Sequence, residues 1–440
     1  MLLNSFLLFR YAGGIVGPSS LFTALVSNNE LHKVGPFSRW DTDAHYSPAG
    51  GVAKVASRFG TFVHSTFDFD PEAFGLSVNE ASLMDPQSRV LLEETVTAFH
   101  GAGKLESLLK SITLVLFCRL HGSFLIRCAG YSTKELLGSP TGVYVGCIWL
   151  EYGELLAAAG NPAGAYMVTG NGLAFMSGRV SYTLGLIGPC VPTNTACSSS
   201  LVAYHLAAKG ILLGDCTLAT ASGVNSLLVP TSASAAMTQV HALSPDGRCK
   251  AFGAEADGYG RGEGYTALII EPAGRSSRPL ALVAGSAVNQ DGRSSGLTAP
   301  HGPSQQALIS AAMREAGTAV LGYVASHGTG TPLGDPIETG ALRKAVVAQG
   351  AATAGASFTV GAIKTLTGHL EGTAGLAGLL LAQTQLEQRY AHGLRYREIN
   401  AYVANSFGGW AVPYRLPIQS APSGKALACL QCDMQKAVAD

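Results

Sequence analysis

Apolar residues follow two rhythms along this chain, and the two alternate. Short, nearly unbroken apolar runs at 142–146, 266–270, 280–288, 323–326 and 358–363 are bounded by glycine, proline or polar residues, which predicts buried strands. Segments 89–100, 304–315 and 372–386 instead carry apolar residues at helical spacing; in the first, Val90, Leu92, Val96 and Phe99 fall on one inward face. Strands and helices taking turns predict an α/β layered fold. No internal repeat is visible.

Two stretches break the alternation. Residues 1–9 are apolar but lack a basic leader and a clear cleavage site, so a short core strand is expected rather than a signal peptide. Residues 105–129 are also apolar, yet Lys110, Arg119, His121 and Arg127 interrupt them too often for a spanning helix. That segment is expected to be an anomalous insertion, and no transmembrane anchor is assigned.

Composition narrows the partners. With 47% hydrophobic and 13% charged residues in 440, the chain can bury one large core or two fused ones. Lys+Arg and Asp+Glu both count 29, so no global field attracts nucleic acid or an anionic membrane. Nine cysteines without regular spacing point to a reducing compartment rather than a disulfide framework. Cys429 and Cys432 form a lone pair where zinc wants four ligands, so no metal is expected.

Candidate chemistry centres on Thr193-Asn194-Thr195-Ala196-Cys197-Ser198-Ser199-Ser200, where an apolar segment turns into a small-residue helix. Leu201, Val202, Leu206 and Ile211 are expected on its buried face, which puts Cys197 near the helix N-terminus, where unpaired N–H groups favour a thiolate. By itself this cysteine fits a small buried hydrophobe equally well. Two histidines tip the balance. His327 lies in Ser326-His327-Gly328-Thr329-Gly330-Thr331-Pro332-Leu333-Gly334-Asp335-Pro336-Ile337-Glu338, and His369 in Lys364-Thr365-Leu366-Thr367-Gly368-His369-Leu370-Glu371-Gly372-Thr373-Ala374-Gly375. Each sits at a strand-to-loop or loop-to-helix junction flanked by glycine, as active-site loops place their residues.

Together these segments resemble the β-ketoacyl synthase family, specifically the ketosynthase domain of polyketide synthases. Met84-Asp85-Pro86-Gln87-Ser88-Arg89, Asp257-Gly258-Tyr259-Gly260-Arg261-Gly262-Glu263-Gly264 and Asn289-Gln290-Asp291-Gly292 agree, and the resemblance covers roughly 30–103 and 130–400. It implies the thiolase-like fold, two βα halves in five layers (αβαβα). Residues 1–250 would form the half with the nucleophile, 251–418 the half with the histidine motifs, and 419–440 a tail. It implies decarboxylative Claisen condensation of an acyl thioester with a malonyl-type extender, in polyketide or fatty acid biosynthesis. Cys197 would carry the acyl group, His327 and His369 would present N–H groups to the extender, and Lys364 would support them electrostatically. Thr329 and Thr331 would hold the pantetheine arm, with Glu371 as a polar partner at the substrate site. No cofactor would be bound, the substrates riding on the phosphopantetheine of an acyl carrier protein or on coenzyme A. The implied partners are that carrier and a second copy of the chain, in an intracellular setting, cytoplasmic or plastid.

Two departures carry expectations of their own. Thr193-Asn194 replaces the family's Val-Asp, which would loosen the nucleophile turn without removing it. The family's closing glycine-rich segment, whose backbone supplies an oxyanion-hole N–H, has only Asn405-Ser406-Phe407-Gly408-Gly409-Trp410 as a loose counterpart. A catalytically weak scaffold subunit and a Cys-His hydrolase of another fold are the competing classes; the cysteine argues against the first and two glycine-flanked histidines against the second.

Overall fold

The apolar runs become two sheets in the computed structural model, which describes residues 2–27, 29–100, 131–160, 164, 166–273, 280–318, 321–349, 358–388, 390–391, 393–407, 414–416, 421–422 and 429–431. In the first, seven-stranded sheet, Thr141–Gly146 runs parallel to both Cys190–Thr193 and Leu218–Asn225. Gly264–Pro272 lies antiparallel between Leu218–Asn225 and Leu2–Tyr11. The expected opening strand is therefore present. The second sheet is parallel and four-stranded, built from Tyr414–Arg415, Phe358–Gly361, Tyr323–Ala325 and Cys429–Gln431.

Helices fill the layers around the sheets. Val90, Val96 and Phe99 of Pro86–His100, with Val180 and Leu184 of Leu173–Leu184, cover one face of the first sheet at Val143, Val145 and Ile269. Between the sheets run Ser199–Leu213 and Ala374–Gln388, whose Ala203, Ala207, Leu376 and Leu380 share one cluster with Ala219 and Leu268 of one sheet and Tyr323 and Ala325 of the other. Gly302–Ala316 and Gly334–Ala348 close the outer face through Ile309, Met313, Leu342 and Val346, against Val324 and Val360. The order is helix, sheet, helix, sheet, helix.

Several expectations need correction. The division at residue 250 falls too early, because Gly264–Pro272 is an interior strand of the first sheet, paired on both sides. Within the expected tail, Ala421–Pro422 pair with Tyr390–Ala391 and Cys429–Gln431 with Tyr323–Ala325, so part of it is sheet. The 280–288 run yields a strand only at Ala281–Val283. Beyond it, side chains take over the hydrogen bonding: Ser286 meets His205, and Asn289 donates to the Ser304 carbonyl. The 105–129 segment and Cys432 lie outside the described residues.

The helix after Cys197 buries only part of the expected face: Ile211 is inside and Leu201 packs against the core, but Leu206 is not. Ala203, Tyr204, Ala207, Ala208, Gly210 and Ile211 are inside, while Leu206 is 37% exposed. A helix wedged between layers must approach backbone closely, and small side chains permit that where leucine does not. Gly146 marks the tightest approach: an added Cβ would collide with the Ser199 and Ser200 backbone at the start of this helix. Gly146→Ala is expected to destabilise the protein by about 2–3 kcal/mol, at the upper end for overpacking because backbone cannot step aside. Denaturant titration checks it; an unchanged midpoint would contradict the close approach.

Candidate active site

The strand Cys190–Thr193 and the helix Ser199–Leu213 meet in a sharp turn. Ala196 takes a left-handed φ of 54°, a conformation alanine adopts only under constraint. Local side chains supply it. Ser199 Oγ accepts from the Thr195 amide at 2.9 Å and donates to the Ala196 carbonyl at 2.6 Å; Ser198 Oγ donates to the Thr195 carbonyl at 2.9 Å. Asn194 Oδ1 accepts from the Ala196 amide at 3.2 Å while its Nδ2 donates to the Ile148 carbonyl at 3.3 Å. At the Thr193-Asn194 departure the turn is thus still tied, through the Asn194 side chain to the Ala196 amide on one side and the Ile148 carbonyl on the other. Cys197 emerges partly exposed at the helix mouth. Cys147, Cys216 and Cys249 are buried, and burial pushes their thiols up, that of Cys249 to about 12.

His327 follows the strand Tyr323–Ala325, in a loop held through its main chain. The amides of His327 and Gly328 donate to the two oxygens of Glu338, the second at 2.9 Å. Asp335 accepts from the Gly330 and Phe252 amides at 3.2 and 2.7 Å. Burial raises Glu338 to about 7 and Asp335 to about 6, against the pull of these donors. Lys364 is buried rather than solvated, donating to the His327 carbonyl at 2.7 Å with Nζ 3.5 Å from His327 Nδ1. Thr329 and Thr331 lie in the same loop, hydroxyl to hydroxyl at 3.2 Å, and Thr331 also accepts from the Gly334 amide.

His369 brings the two halves together. Its Nε2 lies 3.0 Å from Cys197 Sγ, and the ligand atoms of Cys197, His327 and His369 all fall within 4.8 Å of one another. The imidazoles stand nearly perpendicular, centroids 5.7 Å apart, with the Tyr259 ring edge-on to His369 at 4.9 Å. The Glu371 amide donates to His369 Nδ1 at 2.9 Å. An amide can only donate, so Nδ1 holds the lone pair and the proton of the neutral ring sits on Nε2, facing the sulfur. Burial first, then the nearby Lys364, His327 and Arg261, hold this histidine well below the usual range, so the ring stays neutral. The same tautomer disfavours a cation at the cluster. A metal needs the Nε2 lone pair, which would put a proton on Nδ1 against the Glu371 amide.

All four expected catalytic residues therefore converge, with Glu371 touching His369 by its backbone rather than its carboxylate. Three further residues had no predicted role: Arg261, which grips Glu371, and Asp335 and Glu338, which brace the His327 loop. All three lie inside the motifs carrying the resemblance, which was the only signal for them. One described segment, Ala196–Leu213, is apolar and long enough to cross a membrane, but it is the helix packed between the two sheets.

Family models match most of the chain: the N-terminal domain of β-ketoacyl synthase at residues 8–123 and 121–275, and the C-terminal domain at 280–395. Polyketide synthase GfsB of Streptomyces halstedii is 40% identical over 385 residues, 84% of this chain and 6% of that protein. The mycoketide-CoA synthase of Mycobacterium tuberculosis is 40% identical over 379 residues, 84% of this chain and 8% of its own length. The chain thus spans a small part of the curated relatives it matches. Among solved structures, an oxazolomycin ketosynthase domain of Streptomyces albus superposes with a TM-score of 0.81 at 30% identity, over 96% of this chain and 68% of that one. The ketosynthase from module 6 of the Bacillus subtilis bacillaene synthase gives 0.79 at 29%, over 96% and 67%. With matches of this extent on both halves, the chain belongs to the β-ketoacyl synthase family, as a ketosynthase of the polyketide synthase type with the thiolase-like fold.

Proposed function

We propose that this chain elongates an acyl group by decarboxylative Claisen condensation, with Cys197 as nucleophile and His327 and His369 as hydrogen-bond donors. The observation that carries the reading is the Glu371 amide at 2.9 Å from His369 Nδ1, which assigns the ring proton to Nε2, 3.0 Å from Cys197 Sγ. A Cys-His hydrolase needs the opposite, a lone pair at the nitrogen facing the thiol.

In the first step the Cys197 thiolate attacks the carbonyl of an acyl thioester, the bond to the carrier sulfur breaks, and that sulfur leaves as a thiol after taking a proton. A malonyl-type thioester then enters. Its bond to the carboxylate breaks, carbon dioxide departs, and the electron pair becomes an enolate whose oxygen is held by the two imidazole N–H groups. The enolate carbon attacks the acyl-Cys197 carbonyl and expels the cysteine sulfur, leaving a β-ketoacyl thioester two carbons longer. Lys364, buried beside His327 Nδ1, favours a proton on the opposite nitrogen. Thr329 and Thr331 offer hydroxyls to a phosphopantetheine arm, delivered by an acyl carrier protein or coenzyme A.

A second copy completes the proposed assembly. Cys190–Thr193 is an edge strand of the first sheet, and Tyr182 and Ile187 near it are 81% and 72% exposed. Unpaired edges flanked by apolar side chains invite pairing. The action is proposed to be intracellular, where a free nucleophilic thiol persists; the relatives compared are bacterial, and the plastid alternative has no support.

Three expected outcomes test this reading. Cys197→Ala should abolish acyl-enzyme formation, read by intact-protein mass, with an unchanged melting temperature; acylation persisting on Cys190 or Cys216 would overturn the nucleophile. His327→Ala and His369→Ala should each slow malonyl-thioester decarboxylation by about 10²–10³-fold, the usual loss for one oxyanion donor, while acylation of Cys197 continues. If neither variant acylates, a histidine is acting as base. Ile187→Glu should shift the sedimentation of the protein from dimer to monomer, and a monomeric parent would dispose of the assembly.

A further inference from the structure

We propose that Arg261 is a positioning residue for this condensation: by gripping the Glu371 carboxylate it keeps the Glu371 main-chain N–H on His369 Nδ1, and so keeps the His369 proton on Nε2. The inference rests on the donor role of His369 proposed above.

Glu371 is the element to explain. It is a non-glycine residue with φ of 46°, in the left-handed region, two positions after His369, and it opens the short turn Glu371–Thr373. A strained glutamate persists only where its surroundings over-determine it. Here they do. Arg261 Nε donates to Glu371 Oε1 at 2.7 Å and Nη2 to Oε2 at 2.9 Å, a two-pronged pair between side chains that are each only 4% exposed. Arg261 Nη1 in turn donates to Ser234 Oγ, and Glu151 lies 3.8 Å from Nη2 while accepting the Leu228 and Val229 amides.

The main chain doubles the grip. His369 N donates to the Gly260 carbonyl at 2.7 Å, and Gly262 N to the His369 carbonyl at 2.9 Å, so the segment carrying Arg261 is laced to His369 itself. His369 is thus held before its ring by the backbone around Arg261 and behind it by the guanidinium acting through Glu371. Releasing the carboxylate lets Glu371 leave the left-handed region, and its amide turns off Nδ1. The ring is then free to move its proton to Nδ1, which leaves a lone pair where the extender's oxygen needs a donor. A single-point ammonium cannot reproduce the two-pronged fork.

The test uses the full chain with ¹⁵N-labelled histidine. In Arg261→Lys, the ring-nitrogen signals of His369, assigned by their loss in His369→Ala, should shift toward the Nδ1-protonated form, and decarboxylation should fall at least ten-fold more than acylation of Cys197. His369 signals identical to the parent's would overturn the proposal whatever activity does, since the tautomer would not depend on Arg261. A shifted signature with both partial reactions falling equally would also overturn it, marking general loosening. If Arg261→Lys does not fold, Glu371→Gln, which keeps volume and one acceptor but removes the charged partner, is read by the same two measurements. Because the nitrogen signals need no turnover, a parent that fails to decarboxylate would sink the proposed function and leave this inference separately decided.

Discussion

Everything at this site depends on keeping one buried imidazole neutral and pointing its proton in one direction. His369 is enclosed and faces the positive charges of Lys364 and Arg261, so a second proton would be both desolvated and repelled. The single remaining proton then has two nitrogens to choose from, and one main-chain amide decides between them. An amide costs nothing to keep in its protonation state at any physiological pH, which makes it a more dependable arbiter than a carboxylate would be. The cost appears elsewhere: a left-handed glutamate costs about 1–2 kcal/mol. Removing one partner from a buried ion pair such as Arg261–Glu371 costs about 3–5 kcal/mol. A turn that swung the Glu371 carboxylate off Arg261 would leave such a charge uncompensated, a larger penalty than the turn's own strain, so the pairing can hold the turn in place.

The fold makes this possible by letting strand ends converge. Cys197 follows the parallel strand Cys190–Thr193, His327 follows Tyr323–Ala325, and Lys364 follows Phe358–Gly361. In open parallel sheets the carboxyl ends of strands are where ligands gather, and here two sheets direct theirs toward the same inner layer. The nucleophile helix can lie close to the first sheet because most of its buried positions are alanine, serine and glycine, while Leu376, Leu380 and Leu381 of its neighbour Ala374–Gln388 fill the rest of the layer. Packing and catalysis meet at Gly146, where the first sheet touches the backbone of the nucleophile helix two and three residues beyond the sulfur.

How far the sequence alone could see follows from this division of labour. Cys197, His327, His369 and Lys364 were legible because each lies in a long, specific motif and is a residue type whose side chain carries the chemistry the resemblance implies. Arg261, Asp335 and Glu338 stood in the same motifs but work on backbone amides or on another residue's carboxylate, and no spacing rule announces such a contact. Leu206 was misjudged because helical periodicity weighs hydrophobicity, whereas the buried positions of Ser199–Leu213 are mostly alanine, serine and glycine. The 280–288 run leaves the ladder after Val283, where the Ser286 main-chain N–H donates to the Glu315 carboxylate on a helix instead of to a neighbouring strand.

The distance between His369 and the sulfur also orders the proposed reaction. While Cys197 is a free thiolate, the proton on His369 Nε2, 3.0 Å away, has a strong acceptor and is committed to it. An extender bound at that stage would find one of its two donors engaged. Once the sulfur carries an acyl group it is a neutral thioester and a poor acceptor. The same N–H then turns to the extender's oxygen and completes the pair with His327. In the proposed reaction, loading of the cysteine would thus free the donor that decarboxylation needs, so that the enolate would form with an acyl group already in place to receive it. A site with separate donors for sulfur and enolate would lack this coupling and would lose extender to unproductive decarboxylation.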